Sequence, residues 1–246
     1  MSRTVLVTGA SRGIGRAAAL AFAALGDRVA INHRDSAGRA AELSEEMAGD
    51  GHIVVQGDVA DAAAVRAMVD QVAAAFGHID VVVNNAGVYV PHPIMEVTYE
   101  EWQAAWRDTL EANLIGAANV TWCAVRHMRP GGRIVNVSSR GAYRGEPDHP
   151  AYGAGKAGLN ALGRSLALSL GPLGIGVVTI APGFVETDMA SPYLRSPAGA
   201  EIRAQSPFGR VATPDEVAAA IVWLASPAAE WASGAVLDFN GATYFR

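Results

Sequence analysis

Short runs rich in β-branched residues, at 4–7, 28–32, 52–56, 81–84, 133–137, 176–180 and 235–239, alternate along the chain with Ala- and Leu-rich helical patterns. The helical patterns lie near 13–25, 36–48, 61–76, 99–128, 152–171 and 214–225. Few folds accommodate such an alternation. Parallel neighbours need a crossover connection, so strands separated by helices are expected to form a parallel sheet with helices on both faces. The unbroken Val81-Val82-Val83 suits a strand buried on both sides. An α/β, doubly wound architecture is therefore predicted. No Ser/Gly-rich, Pro-rich or single-sign charged stretch divides the 246 residues, so one domain over 1–246 is expected.

Composition excludes several partners. A net charge of -5 with dispersed arginines offers no clustered basic face for nucleic acid. The longest apolar runs, 17–25 and 217–225, are about half of what a bilayer crossing requires. Val5-Leu6-Val7 is too short for the apolar region of a signal peptide. The single cysteine, Cys123, forbids an internal disulfide and, between Trp122 and Ala124, reads as a small packed hydrophobe. A soluble, cytoplasmic protein without a metal is expected.

Open parallel sheets bind ligands beyond the carboxyl ends of their strands, where strand order reverses. That directs attention to 8–15, 84–87, 138–139 and 182–188. The first is Thr8-Gly9-Ala10-Ser11-Arg12-Gly13-Ile14-Gly15, which follows a strand and opens a helix. Its glycines permit a sharp turn, and free N–H groups at the helix start suit the oxygens of a dinucleotide pyrophosphate. A tight turn with nothing bound is the plainer alternative. Tyr152 and Lys156, four residues apart, fall on one helix face. A lysine charge near a phenol favours the phenolate and lowers its pKa, which makes a proton donor and acceptor for carbonyl chemistry. A solvated surface pair has the same spacing, and the Gly-rich turn in the same chain weighs against that reading.

With Asp58-Val59, Asn84-Asn85-Ala86-Gly87, Asn113, Ser138-Ser139, Pro182-Gly183 and Thr187 in order over the whole chain, the sequence resembles the short-chain dehydrogenase/reductase family. It is most similar to 3-oxoacyl-(acyl-carrier-protein) reductases and related ketoreductases. The resemblance implies a Rossmann-type seven-stranded sheet, a nicotinamide cofactor and a homotetramer. It assigns Tyr152 as general acid in reduction, Lys156 as the group that depresses its pKa and holds the nicotinamide ribose, and Ser139 as the hydrogen-bond donor to the substrate carbonyl. Asn113 would position a water for proton relay; an Asn inside a helix is mildly unfavourable and wants a reason. The cofactor would lie against Gly9, Ser11, Arg12, Gly13, Ile14 and Gly15. Asp58 and Val59 would meet the adenine, and Asn85, Ala86 and Gly87 would line the cleft. Pro182, Gly183, Val185 and Thr187 would pass the nicotinamide.

Charge argues for NADPH over NADH, because Arg34, after the second strand, and Arg12 could clamp a 2′-phosphate. Asp35 would turn toward the ribose if the strand ended one residue later. The Pro- and Gly-containing segment 187–210 reads as a substrate lid. Arg126, Arg129 and Arg133 supply some basic surface, but the uncharged 168–173 gives little steering toward an acidic carrier protein. The segment 140–149, which carries Arg144 and His149, reads as a solvent-facing loop; the alternative, with Arg144 or His149 facing the site, implies a polar or anionic substrate. The expected activity is reduction of a ketone or 3-oxo compound. Oxidation of a sugar, polyol or other secondary alcohol is the alternative, and a non-catalytic nucleotide-binding role is a third.

Overall fold

The computed structural model describes residues 2–246. Its strands are β1 (Thr4–Val7), β2 (Arg28–His33), β3 (Ile53–Gln56), β4 (Val81–Asn84), β5 (Arg133–Val137), β6 (Gly176–Pro182) and β7 (Val236–Phe239). All pair in parallel, in the order β3-β2-β1-β4-β5-β6-β7. The order reverses between β1 and β4, and the register there sets Val5 beside Val81 and Val7 beside Val83.

The helices are α1 (Gly13–Ala24), α2 (Ala37–Glu46), α3 (Ala62–Phe76), α4 (Tyr99–Leu110), α5 (Gly116–Ala124), α6 (Gly141–Arg144), α7 (Pro150–Leu170), α8 (Ser191–Leu194), α9 (Gly199–Ala204) and α10 (Pro214–Leu224). Because strand side chains alternate between faces, the β-branched runs feed two cores. Val5, Val7, Val29, Ile31, Val81 and Val83 face α1, α2 and α10 with Phe22, Leu43 and Ile221. Leu6, Ala30, Val82 and Ile134 face α3, α5 and α7 with Val65, Val69, Val120 and Leu170. Continuous apolar strands thus follow from having a helical layer on each side.

Helix ends follow local chemistry. Thr98 with Glu101 and Thr213 with Glu216 form capping boxes on α4 and α10. Asp61 caps α3, which stops at Gly77 with φ 81°. Among the described residues, no helix is long and apolar enough to cross a membrane.

The structure departs from the sequence expectation in several elements. The stretch read as one helix over 99–128 is α4, a π-turn at Glu111–Ile115, α5 and a closing 3-10 turn. β6 runs two residues further than expected, to Pro182. The segment 187–210, read as a lid, carries α8 and α9, which pack Leu194 and Ile202 against Phe184 and Val211.

Phe22 is fully buried where α1 meets the sheet. Truncating it leaves a cavity, so Phe22→Ala is expected to lower unfolding free energy by about 3–5 kcal/mol. Urea denaturation checks this; a loss under about 1 kcal/mol would mean that the α1 layer is not packed as described.

Candidate active site

The cleft opens where the sheet order reverses, and side-chain amides and a hydroxyl shape its floor. Thr8 Oγ1 accepts the N–H groups of Asn85 and Ala86, each at 3.0 Å. Asn85 Nδ2 donates to the Thr8 and Gly9 carbonyls at 2.9 and 3.1 Å. Asn32 Oδ1 accepts from Gly9 N–H at 3.1 Å while its Nδ2 donates to the Gly57 carbonyl at 3.0 Å. The Gly-rich turn is thereby tied to the exits of β2, β3 and β4. It has no room for side chains: a Cβ on Gly9 would lie 2.9 Å from Ala86 Cα, and one on Gly15 2.5 Å from Asn85 Nδ2. Gly9 also has φ 62°, which glycine tolerates. The first turn of α1 has no side-chain cap, which leaves its N–H groups for an anion.

Most of the residues singled out in the sequence line this one cleft: Gly9, Ser11, Arg12, Gly13 and Ile14 beside Arg34, Asp58 and Val59 at one end, and Ser139, Tyr152 and Lys156 at the other. Asn85, Ala86, Gly87, Pro182, Gly183, Val185 and Thr187 join the two ends. Gly15 and Asn113 stand behind the lining. Val185 bridges to Ala212 through the backbone of its neighbours Phe184 and Glu186, so its own N–H and C=O turn away from that bridge. Arg34 is exposed and its Nε donates to Asp35 Oδ2 at 2.5 Å, so the neighbouring carboxylate competes for its charge.

The π-turn explains the asparagine. Asn113 sits inside it, with Oδ1 accepting Val88 N–H at 2.8 Å and Nδ2 donating to Val88 C=O at 2.9 Å. π-Turns recur at functional sites because they re-aim a side chain. Here the amide replaces a strand partner for the loop after β4. A Cβ on Gly87 would lie 2.8 Å from Asn113 Oδ1 and 3.6 Å from Lys156 Nζ, so both side chains converge on that glycine. Lys156 is buried and its Nζ donates to the Val137 carbonyl at 2.8 Å. Ser138, the other serine of the pair, is turned inward to the Lys156 carbonyl at 3.2 Å. Ser139 Oγ accepts Gly141 N–H at 3.0 Å.

The electrostatics differ from expectation. Lysine was expected to depress the phenol, yet Lys156 Nζ lies 5.7 Å from the Tyr152 ring centroid and is bonded elsewhere. Burial pushes the Tyr152 pKa up to about 12, with the nearby Ser139 hydroxyl pulling the other way. Burial also lowers Lys156 to about 8. Loss of water disfavours both charged forms and outweighs their mutual attraction at this separation.

The segment 140–149 also differs from the expected loop. Arg144 is exposed, but Arg140 and His149 are buried and Glu146 lines the cleft. His149 stacks on Tyr89 with centroids 3.6 Å apart, and its Nε2 lies 2.9 Å from the Tyr193 hydroxyl. Burial holds the His149 pKa down near about 4, so the ring is neutral. Tyr89 stands edge-on to Tyr152 at 4.7 Å and donates to Glu146 Oε2 at 3.2 Å. Sequence reading missed Tyr89 and the facing role of Glu146; the one signal for Tyr89 was its place two residues after Asn85-Ala86-Gly87. The basic surface available to a carrier protein is smaller than the sequence indicates, because Arg133 is buried against Glu230 at 2.9 Å.

A raised pKa keeps the phenol protonated through neutral pH. The phenolate absorbance difference between the native protein and Tyr152→Phe is expected to stay flat up to about pH 9. A titration step near neutrality in the free protein would show that a cation, not burial, controls the phenol.

The family model described as enoyl-(acyl carrier protein) reductase matches residues 9–241. The chain is 36% identical to the 3-oxoacyl-(acyl-carrier-protein) reductase FabG of Staphylococcus aureus, covering 99% of each chain. It is 40% identical to D-threitol dehydrogenase of Mycolicibacterium smegmatis, over 97% of this chain and 92% of that one. Among solved structures, a short chain dehydrogenase from Burkholderia cenocepacia in complex with NADP superposes with a TM-score of 0.89 at 34% identity, covering 98% and 97% of the two chains. The chain belongs to the short-chain dehydrogenase/reductase family, whose members are oxidoreductases acting on CH–OH and ketone groups.

Proposed function

We propose that the protein is an NADPH-dependent reductase converting a ketone or 3-oxo compound to a secondary alcohol. The observation that carries this reading is the meeting of Ser139, Tyr152 and Lys156 at one end of a cleft whose other end holds the Gly-rich turn, Arg12 and Arg34. The side-chain-free cradle at Gly9 and Gly15 fits a dinucleotide pyrophosphate. When bound, the cofactor supplies a hydride to the carbonyl carbon. Ser139 donates to the carbonyl oxygen as charge develops on it. Tyr152 delivers the phenolic proton, and its raised pKa keeps that proton in place at neutral pH. Lys156 offsets the phenolate left behind and holds the nicotinamide ribose. Asn113, one layer behind Gly87, positions a water that returns the proton. Val185 N–H and the Thr187 hydroxyl hold the nicotinamide carboxamide.

The segment with α8 and α9 is proposed as the lid, supported by its contacts to the catalytic wall through Tyr193 and Gln205. A homotetramer is proposed with it; exposed Ile115, Trp122 and Leu168 provide apolar surface for subunit packing. The single, unpaired Cys123 suits a reducing cytoplasm. Oxidation of a polyol is the second reading, favoured by the likeness to D-threitol dehydrogenase and by the Glu146 carboxylate in the cleft wall, an acceptor for substrate hydroxyls.

Two measurements test the proposal. Nicotinamide absorbance is followed with NADPH and NADH against 3-oxo esters, simple ketones and keto-sugars. Tyr152→Phe is expected to lower kcat by about 10²–10⁴ with cofactor Kd unchanged. Turnover confined to polyols with oxidised cofactor would favour the second reading. In a cofactor titration, Arg34→Ala is expected to weaken NADPH by about 10- to 100-fold and NADH little, the effect of losing a charge-assisted bond. Equal weakening of both would remove the phosphate clamp.

A further inference from the structure

Arg140 has no part in the chemistry above, yet it is buried as deeply as Lys156, at 3% exposure, and lines the cleft next to Ser139. A guanidinium remains charged and carries five donors. Burying one without a counter-ion is costly. Arg133, the other buried arginine among the described residues, has its own: it meets Glu230 at 2.9 Å. Among the described residues, Arg140 forms no ion pair. Its Nη2 donates to the neutral Gln205 Oε1 at 2.7 Å, its guanidinium lies 5.1 Å from the Phe184 ring centroid, and its buried Nη1 has no partner. Arg144 brings a second guanidinium to the same Gln205 oxygen at 3.4 Å. Burial and the Arg144 charge lower Arg140 to about 10, which leaves it cationic at neutral pH.

The acids near this wall are engaged elsewhere. Glu146 takes the Tyr89 hydroxyl and attracts Arg140 only at longer range, without an ion pair. Asp188, also in the lining, pairs with Arg39 at 3.1 Å. Two cations thus converge on one neutral acceptor at the edge of the substrate end of the cleft. A brace between the catalytic loop and α9 explains the Gln205 bond but neither the second guanidinium nor the unpartnered Nη1.

We propose that Arg140, assisted by Arg144, binds a carboxylate carried by the substrate, so that the enzyme acts on oxo acids in preference to neutral ketones. The inference rests on the carbonyl-reductase reading of the site. Arginine suits the role because its planar fork matches a carboxylate.

The test compares 3-oxobutanoate, 4-oxopentanoate and 5-oxohexanoate with their methyl esters under saturating NADPH. The wild type is expected to favour at least one acid over its ester by about 10- to 100-fold in kcat/KM. Arg140→Gln is expected to erase that preference through KM, with Arg140→Lys restoring part of it. Gln205→Ala removes the brace and keeps the guanidinium, so it is expected to retain the preference; loss equal to that in Arg140→Gln would overturn the proposal. Equal kcat/KM for acids and esters would overturn it while leaving carbonyl reduction standing. Calorimetric titration of NADPH-loaded Tyr152→Phe with the same pairs reads binding without turnover. Equal affinities there would overturn the carboxylate site whatever the reaction proves to be. Tighter acid binding with no reduction of any carbonyl in the wild type would uphold the site and count against the reductase reading.

Discussion

The Thr8 hydroxyl and the Asn85 amide hold together the two chain segments on which every other part of the site depends. They lie where β1 and β4 are neighbours although far apart in sequence, and the two side chains satisfy backbone groups that the sheet leaves without ladder partners. An unpaired buried peptide group costs roughly 1–3 kcal/mol, so the bonds fix the path of the Gly-rich turn as well as its end. Asn32 extends the same arrangement to β3. Once these turns are pinned, only glycine fits at positions 9 and 15, and the helix that follows presents bare N–H groups to the cleft.

Water exclusion is the second organising effect, and it acts on three basic or acidic groups in different ways. It holds the Tyr152 phenol neutral, reduces the basicity of Lys156, and leaves Arg140 charged because guanidinium starts from so high a pKa. The same burial therefore makes one group a stored proton, one a weakened cation, and one a fixed positive pole. Tyr89, His149 and Tyr193 wall this end of the cleft, the neutral imidazole stacked on Tyr89 and edge-on to Tyr193.

Much of this was legible in the chain before any fold was known. The alternation of β-branched runs with helical patterns reflects a local rule, since strands buried on both faces must be apolar throughout, and the observed sheet follows it. The Gly-rich turn and the Tyr152–Lys156 spacing are likewise local signals. The break at Asn113 was half visible, as an asparagine out of place in a helix, but its resolution as a π-turn required knowing that Val88 lay beside it. Segment 140–149 misled because charged loops are usually solvated. Packing against Tyr89 and Tyr193, remote in sequence, turned His149 and Glu146 inward.

The sequence by itself determined the layer architecture, the location of the Gly-rich turn and the spacing of Tyr152 and Lys156, because each depends on residues within one turn or one strand of each other. Tertiary structure alone decided the proton affinities. Sequence spacing placed Lys156 one helical turn from Tyr152, but only the fold sent its ammonium to the Val137 carbonyl and buried it. The same is true of Arg140, whose missing counter-ion is a property of everything that surrounds it. Desolvation sums over all neighbours in space, and no pattern along the chain records that sum.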